Sequence, residues 1–204
     1  KHTNMTVLFN MVNAELAKIS KWFKLNKLSL NIKKNNYILF QSGNKKKSVG
    51  KMHITIDDVE IERVDKTKFL GVIINSRLNW NDHIKIVSNK VSKNIGILFK
   101  IRHNLTASTL LMLFNTLIQP YYEYCNVIWG VGTSGSSTSL AKLFLKQKKA
   151  IRAVVFAKWD AHTHPIFKKL NILTVYNLNK LQTACFVYKA IHGLLPQKFS
   201  SLFN

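Results

Sequence analysis

The apolar residues of the first segment recur at helical spacing, with steps of 4, 4, 3 and 4 residues along Leu8, Val12, Leu16, Ile19 and Phe23. These steps place all five side chains on one stripe of a helix. The pattern therefore predicts an amphipathic helix from Thr6 to Phe23.

The spacing changes to alternation after this segment. Leu28, Leu30 and Ile32 are separated by polar residues, and a short apolar run occupies positions 37–40. Alternation and short apolar runs are typical of strands, so we expect strands here. A polar loop is predicted at 41–50, where Lys45, Lys46 and Lys47 follow one another.

A hairpin is predicted around Asp57-Asp58, because Ile54 and Ile56 precede this pair and Val59 and Ile61 follow it. Adjacent carboxylates can hold Mg²⁺, but two-metal chemistry needs carboxylates that converge from separate strands. We therefore interpret the pair as a solvated turn. The run Phe-Leu-Gly-Val-Ile-Ile at 69–74 predicts a further buried strand.

The chain beyond Trp80 has helical periodicity. Asp82 is a candidate cap for a helix whose inner face is formed by Ile84, Val87, Val91, Ile95 and Leu98. Its other face carries Lys85, Lys90, Lys93 and Lys100. Thr106 or Ser108 is expected to cap the next helix, which should stop before Pro120.

A Gly, Ser and Thr stretch at 130–139 is predicted to be a flexible loop between subdomains. The helix that follows should turn Leu140, Leu143, Ile151 and Val154 inward and Lys142, Lys146 and Lys149 outward. Pro165 is expected to break the chain. A last helix is predicted from Tyr176 to Ile191, ended by Gly193.

Charge is the feature of the composition that changes this picture. The 204 residues contain 31 Lys and Arg against 9 Asp and Glu, which gives a formal net charge of +22. With 47% apolar residues the chain can fold around a core. Nucleic acid is the polyanion that such a protein most commonly binds, and the alternatives are an anionic membrane surface and a basic domain that binds no polyanion. Two lysine-rich helices with almost no acids favour a surface that follows phosphates.

Targeting and cysteine content point to the inside of the cell. No segment is apolar enough to span a bilayer, and no signal peptide is visible, so we expect no membrane association. Two cysteines, Cys125 and Cys185, cannot form a disulfide scaffold. Because the sequence starts at Lys1, we expect that it begins within a longer protein or was trimmed.

Other candidate chemistry has little support in the sequence. His162 and His164 have a spacing that can bind zinc with Cys125 or Cys185, but a turn with exposed histidines is the preferred interpretation. No nucleophile motif or phosphate-binding loop is present. The four tryptophans could stack on bases, but apolar neighbours favour core positions for Trp22, Trp80, Trp129 and Trp159.

Several segments, in order, resemble the later palm and the thumb of reverse transcriptases from non-LTR retrotransposons of the jockey and CR1 type. The matching residues lie at 22–31, 34, 37–40, 68–72, 78–80, 83–84, 120–125, 129–130, 147–152, 162–167 and 193–196. The resemblance covers nearly the whole chain. It implies an α+β fold, with a small antiparallel palm remnant at 1–76 followed by an all-helical thumb and C-terminal region at 77–204.

The resemblance also implies what the chain lacks. The Asp-Asp box that binds catalytic metal in this family would precede residue 3, and Asp57-Asp58 does not occupy its place. We therefore expect no cofactor in this chain, with Mg²⁺ needed only by the complete polymerase. Lys34 corresponds to a lysine thought to protonate the leaving pyrophosphate, although Asn35 replaces the usual Thr. The segment 68–74 corresponds to a primer-grip strand, in which Gly71 would let the backbone approach the primer end.

The expected function is that of a distal part of an RNA-directed DNA polymerase, which binds primer-template but does not polymerise alone. The expected partners are RNA and DNA, together with a preceding polymerase segment, and the expected location is the nucleus. The predicted nucleic-acid-binding residues are Phe69, Leu70, Gly71, Lys85, Lys90, Lys93, Lys100, Lys142, Lys146 and Lys149. The alternatives are a stand-alone basic nucleic-acid-binding protein and a helical interaction module.

Overall fold

The computed structural model describes residues 2–40, 53–130, 137–196 and 199. The chain divides into two compact units, Lys1–Leu78 and Asn79–Asn204. The first contains one long helix and short strand pairs, and the described part of the second is helical. The expected α+β class is therefore confirmed.

The first helix, α1 (Met5–Leu25), confirms the helix predicted from apolar spacing. The Asn4 side chain caps it by accepting hydrogen bonds from the backbone N–H groups of Thr6 and Val7. Val12 and Leu16 of its predicted stripe pack against a small core whose buried members are Phe9, Ile54, Ile56 and Ile61. The prediction is wrong for Ile19, which is 47% exposed, and it missed Phe9, which α1 buries instead.

Six short strands follow α1: β1 (Asn36–Tyr37), β2 (Thr55–Ile56), β3 (Val59–Glu60), β4 (Glu62–Arg63), β5 (Lys66–Phe69) and β6 (Val72–Asn75). β2 pairs with β3 and β5 with β6, both antiparallel. β1 pairs with β4 in parallel, unlike the antiparallel pairing expected throughout. The predicted loop at 41–50 lies outside the described residues.

The strand predicted from the alternation at 28–32 is wrong. Ile32–Lys34 forms a 3-10 helix, in which the Lys34 N–H donates to the Asn31 carbonyl at 3.1 Å. Leu30 and Ile32 still pack against the small core. Three alternating apolar residues fit either a strand or a tight turn lying on a core, so the pattern could not separate the two.

The hairpin predicted at Asp57-Asp58 is confirmed. Ile56 pairs with Val59, and the two aspartates between them have φ values of 49° and 61°. Positive φ at both central residues is what a two-residue type I′ turn requires, and Asp tolerates it better than most residues.

The single buried strand predicted at 69–74 is a second hairpin. Phe69 ends β5 and pairs with Val72 of β6, and Leu70 and Gly71 form the turn with φ values of 44° and 84°. Six apolar residues in a row concealed the turn, because leucine is not a turn residue. Gly71 supplies the positive φ, so it serves the turn geometry rather than an extended strand.

The second unit contains α2 (Asn81–Ile101), α3 (Ala107–Leu117), α4 (Gln119–Glu123), α5 (Asn126–Trp129), α6 (Ser137–Val154), α7 (Thr163–Leu170) and α8 (Val175–Ile191). The inner face predicted for α2 is buried from Ile84 to Leu98, which confirms that helix. Asp82 lies in the first turn and not at the cap, which is Trp80. Thr106 caps α3 by accepting from the Thr109 N–H.

The inner face predicted for α6 is also confirmed, since Leu140, Leu143, Ile151 and Val154 are buried. Residues 131–136 of the predicted loop lie outside the described residues, and both of its flanks belong to the second unit. Pro165 does not break the chain. It is the third residue of α7, where the backbone N–H has no partner within the helix, so proline is tolerated.

The last helix is confirmed as α8, capped by Thr174 and followed by Gly193 at a φ of 66°.

Buried Gln147 of α6 fixes the start of α8. Its side-chain amide donates to the Leu173 carbonyl at 3.0 Å and accepts from the Val175 N–H at 2.9 Å. Both polar ends of the side chain are satisfied, which burial demands.

Gly130 is required by packing. A Cβ at this position would lie 2.3 Å from the Asn126 side-chain oxygen. Asn126 is fully buried and donates to the Tyr122 carbonyl, while its own carbonyl accepts from the Asn179 side chain. Gly130 and Gln147 both lie in segments that resemble reverse transcriptases, and in this fold their role is packing.

Candidate nucleic-acid interface

The lysine-rich helices α2 and α6 lie side by side in the second unit. Near their starts, the Ser139 hydroxyl donates to the Asn81 side chain at 2.9 Å. Further along, the Lys149 ammonium lies 5.3 Å from the centre of the Phe99 ring. Contacts progress in the same direction along both helices, so Lys146 lies against the middle of α2 and Lys149 against its end.

Three lysines of α2 form one exposed stripe. At about 100° per residue, Lys85, Lys93 and Lys100 fall within an arc of about 80° on the side away from the buried face. None of the three forms an ion pair with a described residue. We call this set the α2 stripe. Lys90 is also exposed, and its ammonium lies 5.5 Å from the centre of the Tyr121 ring.

The lysines of α6 do not all face solvent as predicted. Lys142 and Lys149 are exposed, but Lys146 is half-buried against α2. Its ammonium donates to the Ser88 carbonyl at 3.0 Å and to the Ser92 hydroxyl. The outward orientation predicted for Lys146 is therefore wrong, whereas its role in binding nucleic acid stays a prediction. It lies at the border of the helix face, and the position of α2 decides which way it points.

Burial lowers the pKa of Lys146, and the nearby charge of Lys149 lowers it further. Both effects disfavour the charged form, while the hydrogen bonds to α2 favour it. Lys146 thus holds two helices together, and it is less available to phosphate than the α2 stripe.

Few carboxylates are present to neutralise this surface. The second unit contains sixteen Lys and Arg residues, and its acids are Asp82, Glu123 and Asp160. The Glu123 carboxylate accepts a hydrogen bond from the Gln119 side chain at 2.9 Å. A surface so deficient in acids attracts polyanions over a range set by the ionic strength.

The predicted site residues of the first unit are exposed. Lys34 ends the 3-10 helix with its side chain in solvent and makes no ion pair with a described residue. Phe69 and Leu70 are 61% and 74% exposed at the tip of the β5–β6 hairpin. Large apolar side chains at a hairpin tip are unusual for a turn and provide a contact surface.

Asp57 is engaged within the fold. Its carboxylate accepts from the Ser20 hydroxyl at 2.7 Å and pairs with the Lys24 ammonium at 2.9 Å. The hydrogen bonds from Lys24 and then Ser20 lower the pKa of Asp57 below its ordinary value. Across the described ranges, no group of three or more His, Cys, Asp or Glu residues is placed to hold a metal ion.

The core prediction for the tryptophans is right for two of the four. Trp129 is fully buried and donates from its indole N–H to the Tyr124 carbonyl, and Trp80 packs against the same core. Trp22 and Trp159 are instead 55% and 88% exposed. Lys158 and Asp160 flank Trp159 in the sequence, and these charged neighbours were the available sign of exposure.

Exposed Trp159 lies in a basic groove that sequence reasoning missed. The groove is lined by Phe99, Arg102, Lys149, Arg152, Ala157, Lys158 and Trp159. Only Lys149 among them was a predicted site residue. The other members come from the ends of α2 and α6 and from the turn after α6, so no short motif connects them.

Comparison with known proteins gives one line of evidence. The chain is 23% identical over 168 residues to a Drosophila melanogaster protein described as "Probable RNA-directed DNA polymerase from transposon X-element". The match covers 80% of this chain and 18% of that protein, so the chain spans about a fifth of its relative's length. This similarity supports a relationship to a retrotransposon reverse transcriptase.

Two other comparisons found nothing. No family model matches the chain, and no solved structure matches it. Among the described helices, none is both long and apolar enough to cross a membrane.

Proposed function

We propose that this chain is a distal part of the RNA-directed DNA polymerase of a non-LTR retrotransposon and contributes primer-template binding. The observation that carries the proposal is the similarity to the transposon polymerase. The exposed α2 stripe on an acid-poor helical unit is the second support, because lysines without internal ion pairs are free to contact phosphates.

In this proposal the first unit is the remnant of the palm and the second is the thumb with its C-terminal region. The β5–β6 hairpin takes the place of the expected primer-grip strand, with Phe69 and Leu70 at its tip. Lys34 acts as a general acid toward the leaving pyrophosphate in the complete polymerase. The proposed place of action is the nucleus.

The proposed binding can be tested by its salt dependence. Each neutralised phosphate contributes about 0.7 to 0.9 to the slope of log K against log salt. Changing Lys85, Lys93 and Lys100 together to Gln should flatten this slope for an RNA–DNA hybrid. The matched control changes Lys168, Lys169 and Lys180, three exposed lysines of α7 and α8, to Gln. If both triple variants flatten the slope equally, the α2 stripe is not a specific site.

A second experiment separates a polymerase part from a stand-alone binder. With this chain grafted into a full-length relative, Lys34→Ala should slow single-turnover incorporation about 10²- to 10⁴-fold and leave primer-template affinity nearly unchanged. A large loss of affinity at an unaltered rate would make Lys34 a phosphate-binding residue. We expect the 204-residue chain by itself to incorporate no nucleotide with Mg²⁺, because its described residues hold no group of three or more His, Cys, Asp or Glu placed for a metal ion.

A further inference from the structure

The basic groove contains both kinds of group that bind an unpaired nucleotide. Its volume is about 470 Å³, within the range of roughly 300 to 1,000 Å³ found for small-ligand pockets. Four of its seven lining residues are cations, Arg102, Lys149, Arg152 and Lys158, and no carboxylate lines it. The nearest acid in sequence is Asp160, which is exposed and forms no ion pair with a described residue.

The two aromatic residues of the groove, Phe99 and Trp159, differ in how far neighbouring side chains cover their rings. The Phe99 ring is already covered, with the Arg102 guanidinium 4.8 Å and the Lys149 ammonium 5.3 Å from its centre. Trp159 is 88% exposed and makes no ring stack or cation–π contact with a described residue. Nearly all of its flat apolar surface is therefore open to a partner, next to four positive charges.

The turn that carries Trp159 is held in place by Arg152. The Arg152 carbonyl accepts from the Ala157 N–H at 3.0 Å, and its side-chain Nε donates to the Ala161 carbonyl at 2.9 Å. Phe156, with a φ of 56°, lies two residues after the end of α6 and begins this turn. The Arg152 Nη groups have no hydrogen-bond partner among the described residues. A turn fixed at both ends presents the indole at little entropic cost.

We propose that this groove binds single-stranded nucleic acid, with an unpaired base stacked on Trp159 and the flanking phosphates held by Arg102, Lys149, Arg152 and Lys158. A flat base with an adjacent anion fits a flat indole beside cations, whereas an apolar peptide would leave the cations unpaired. The inference rests on the proposed nucleic-acid binding. It adds that the groove is a second site, whose ligand is single-stranded. The lining of the groove contains none of the three lysines of the α2 stripe, for which we propose binding to duplex phosphates.

The test measures binding of the full chain to a labelled single strand of about twelve nucleotides and to a blunt RNA–DNA hybrid, by fluorescence anisotropy. Trp159→Ala should weaken single-strand binding about 5- to 150-fold, the equivalent of stacking one base, and leave hybrid binding unchanged. Trp159→Phe should retain most of the affinity, whereas Trp159→Leu should not. Trp22→Ala, at the other exposed tryptophan, is the matched control and should change neither affinity.

Each outcome decides the proposal. Because Trp159 is almost fully exposed, we expect all three variants to fold. If Trp159→Ala does not fold, the comparison of Trp159→Phe with Trp159→Leu still tests the proposal. Unchanged single-strand binding in Trp159→Leu overturns the groove proposal. The proposed function survives that result if the α2 stripe variant still weakens hybrid binding. If the wild type binds neither nucleic acid but binds anionic vesicles or poly-glutamate through Trp159, both proposals fail.

Discussion

The ammonium of Lys146 lies 3.0 Å from the carbonyl oxygen of Ser88, so a lysine of α6 donates a hydrogen bond to the main chain of α2. This contact and the one to the Ser92 hydroxyl join the middle of α6 to the middle of α2. A residue that sequence pattern assigns to nucleic acid thus contributes to the packing of the helical unit.

Lys146→Gln should destabilise the helical unit by about 1 kcal/mol, the typical net value of hydrogen bonds lost at a half-buried site. Lys142→Gln removes the same charge from an exposed position of the same helix and should change the free energy of unfolding by less than about 0.5 kcal/mol. Urea denaturation of both variants measures the difference. Equal free energies of unfolding for the two variants would mean that the hydrogen bonds of Lys146 to α2 do not contribute to stability.

Gly71→Val should destabilise the β5–β6 hairpin by about 1 to 2 kcal/mol, because a β-branched residue at a φ of 84° is strained. Leu70→Asn should stabilise it by several tenths of a kcal/mol, since Asn adopts positive φ more readily than Leu. Thermal unfolding checks both signs. A Gly71→Val variant as stable as the wild type would contradict the turn at Gly71 and favour the extended strand predicted from sequence.

The second unit should lose stability as the pH falls below about 6.5. His83 is buried with its ring 5.6 Å from that of Trp129, and burial, followed by the charge of Lys90, lowers the pKa of His83 from its ordinary value of 6.5. A lowered folded-state pKa means that the unfolded chain binds the proton first, so acid favours unfolding. Denaturation between about pH 7 and pH 5 should show this loss, and His83→Gln should reduce it. His103→Gln, at an exposed histidine, should leave it unaltered.

The first unit should lose stability at a lower pH. Because Lys24 and then Ser20 lower the pKa of Asp57, its contribution is complete above the ordinary value of 3.8 and disappears as the pH falls through the folded-state pKa. Asp57→Asn should remove this acid dependence. Asp58→Asn is the control, since Asp58 occupies the next turn position and makes no hydrogen bond with a described residue. A similar change in both variants would locate the effect in the turn itself.

The sequence alone determined the features that depend on neighbours along the chain. Apolar spacing identified α1 and the buried faces of α2 and α6, and the polar pair Asp57-Asp58 between alternating residues identified the first hairpin. These predictions hold because a helix face, a cap or a two-residue turn is set by residues within a few positions of one another.

Tertiary structure decided the features in which distant segments meet. Helical periodicity leaves a residue such as Lys146 at the edge of a face, and only the position of α2 turns it from solvent to a hydrogen bond. The hairpin at Leu70 was concealed because pairing of β5 with β6 imposes a positive φ on a residue that does not favour it. Trp159 meets Phe99 and Arg102 across about sixty residues of sequence because α2 and α6 pack together, and no local pattern records which helix ends meet.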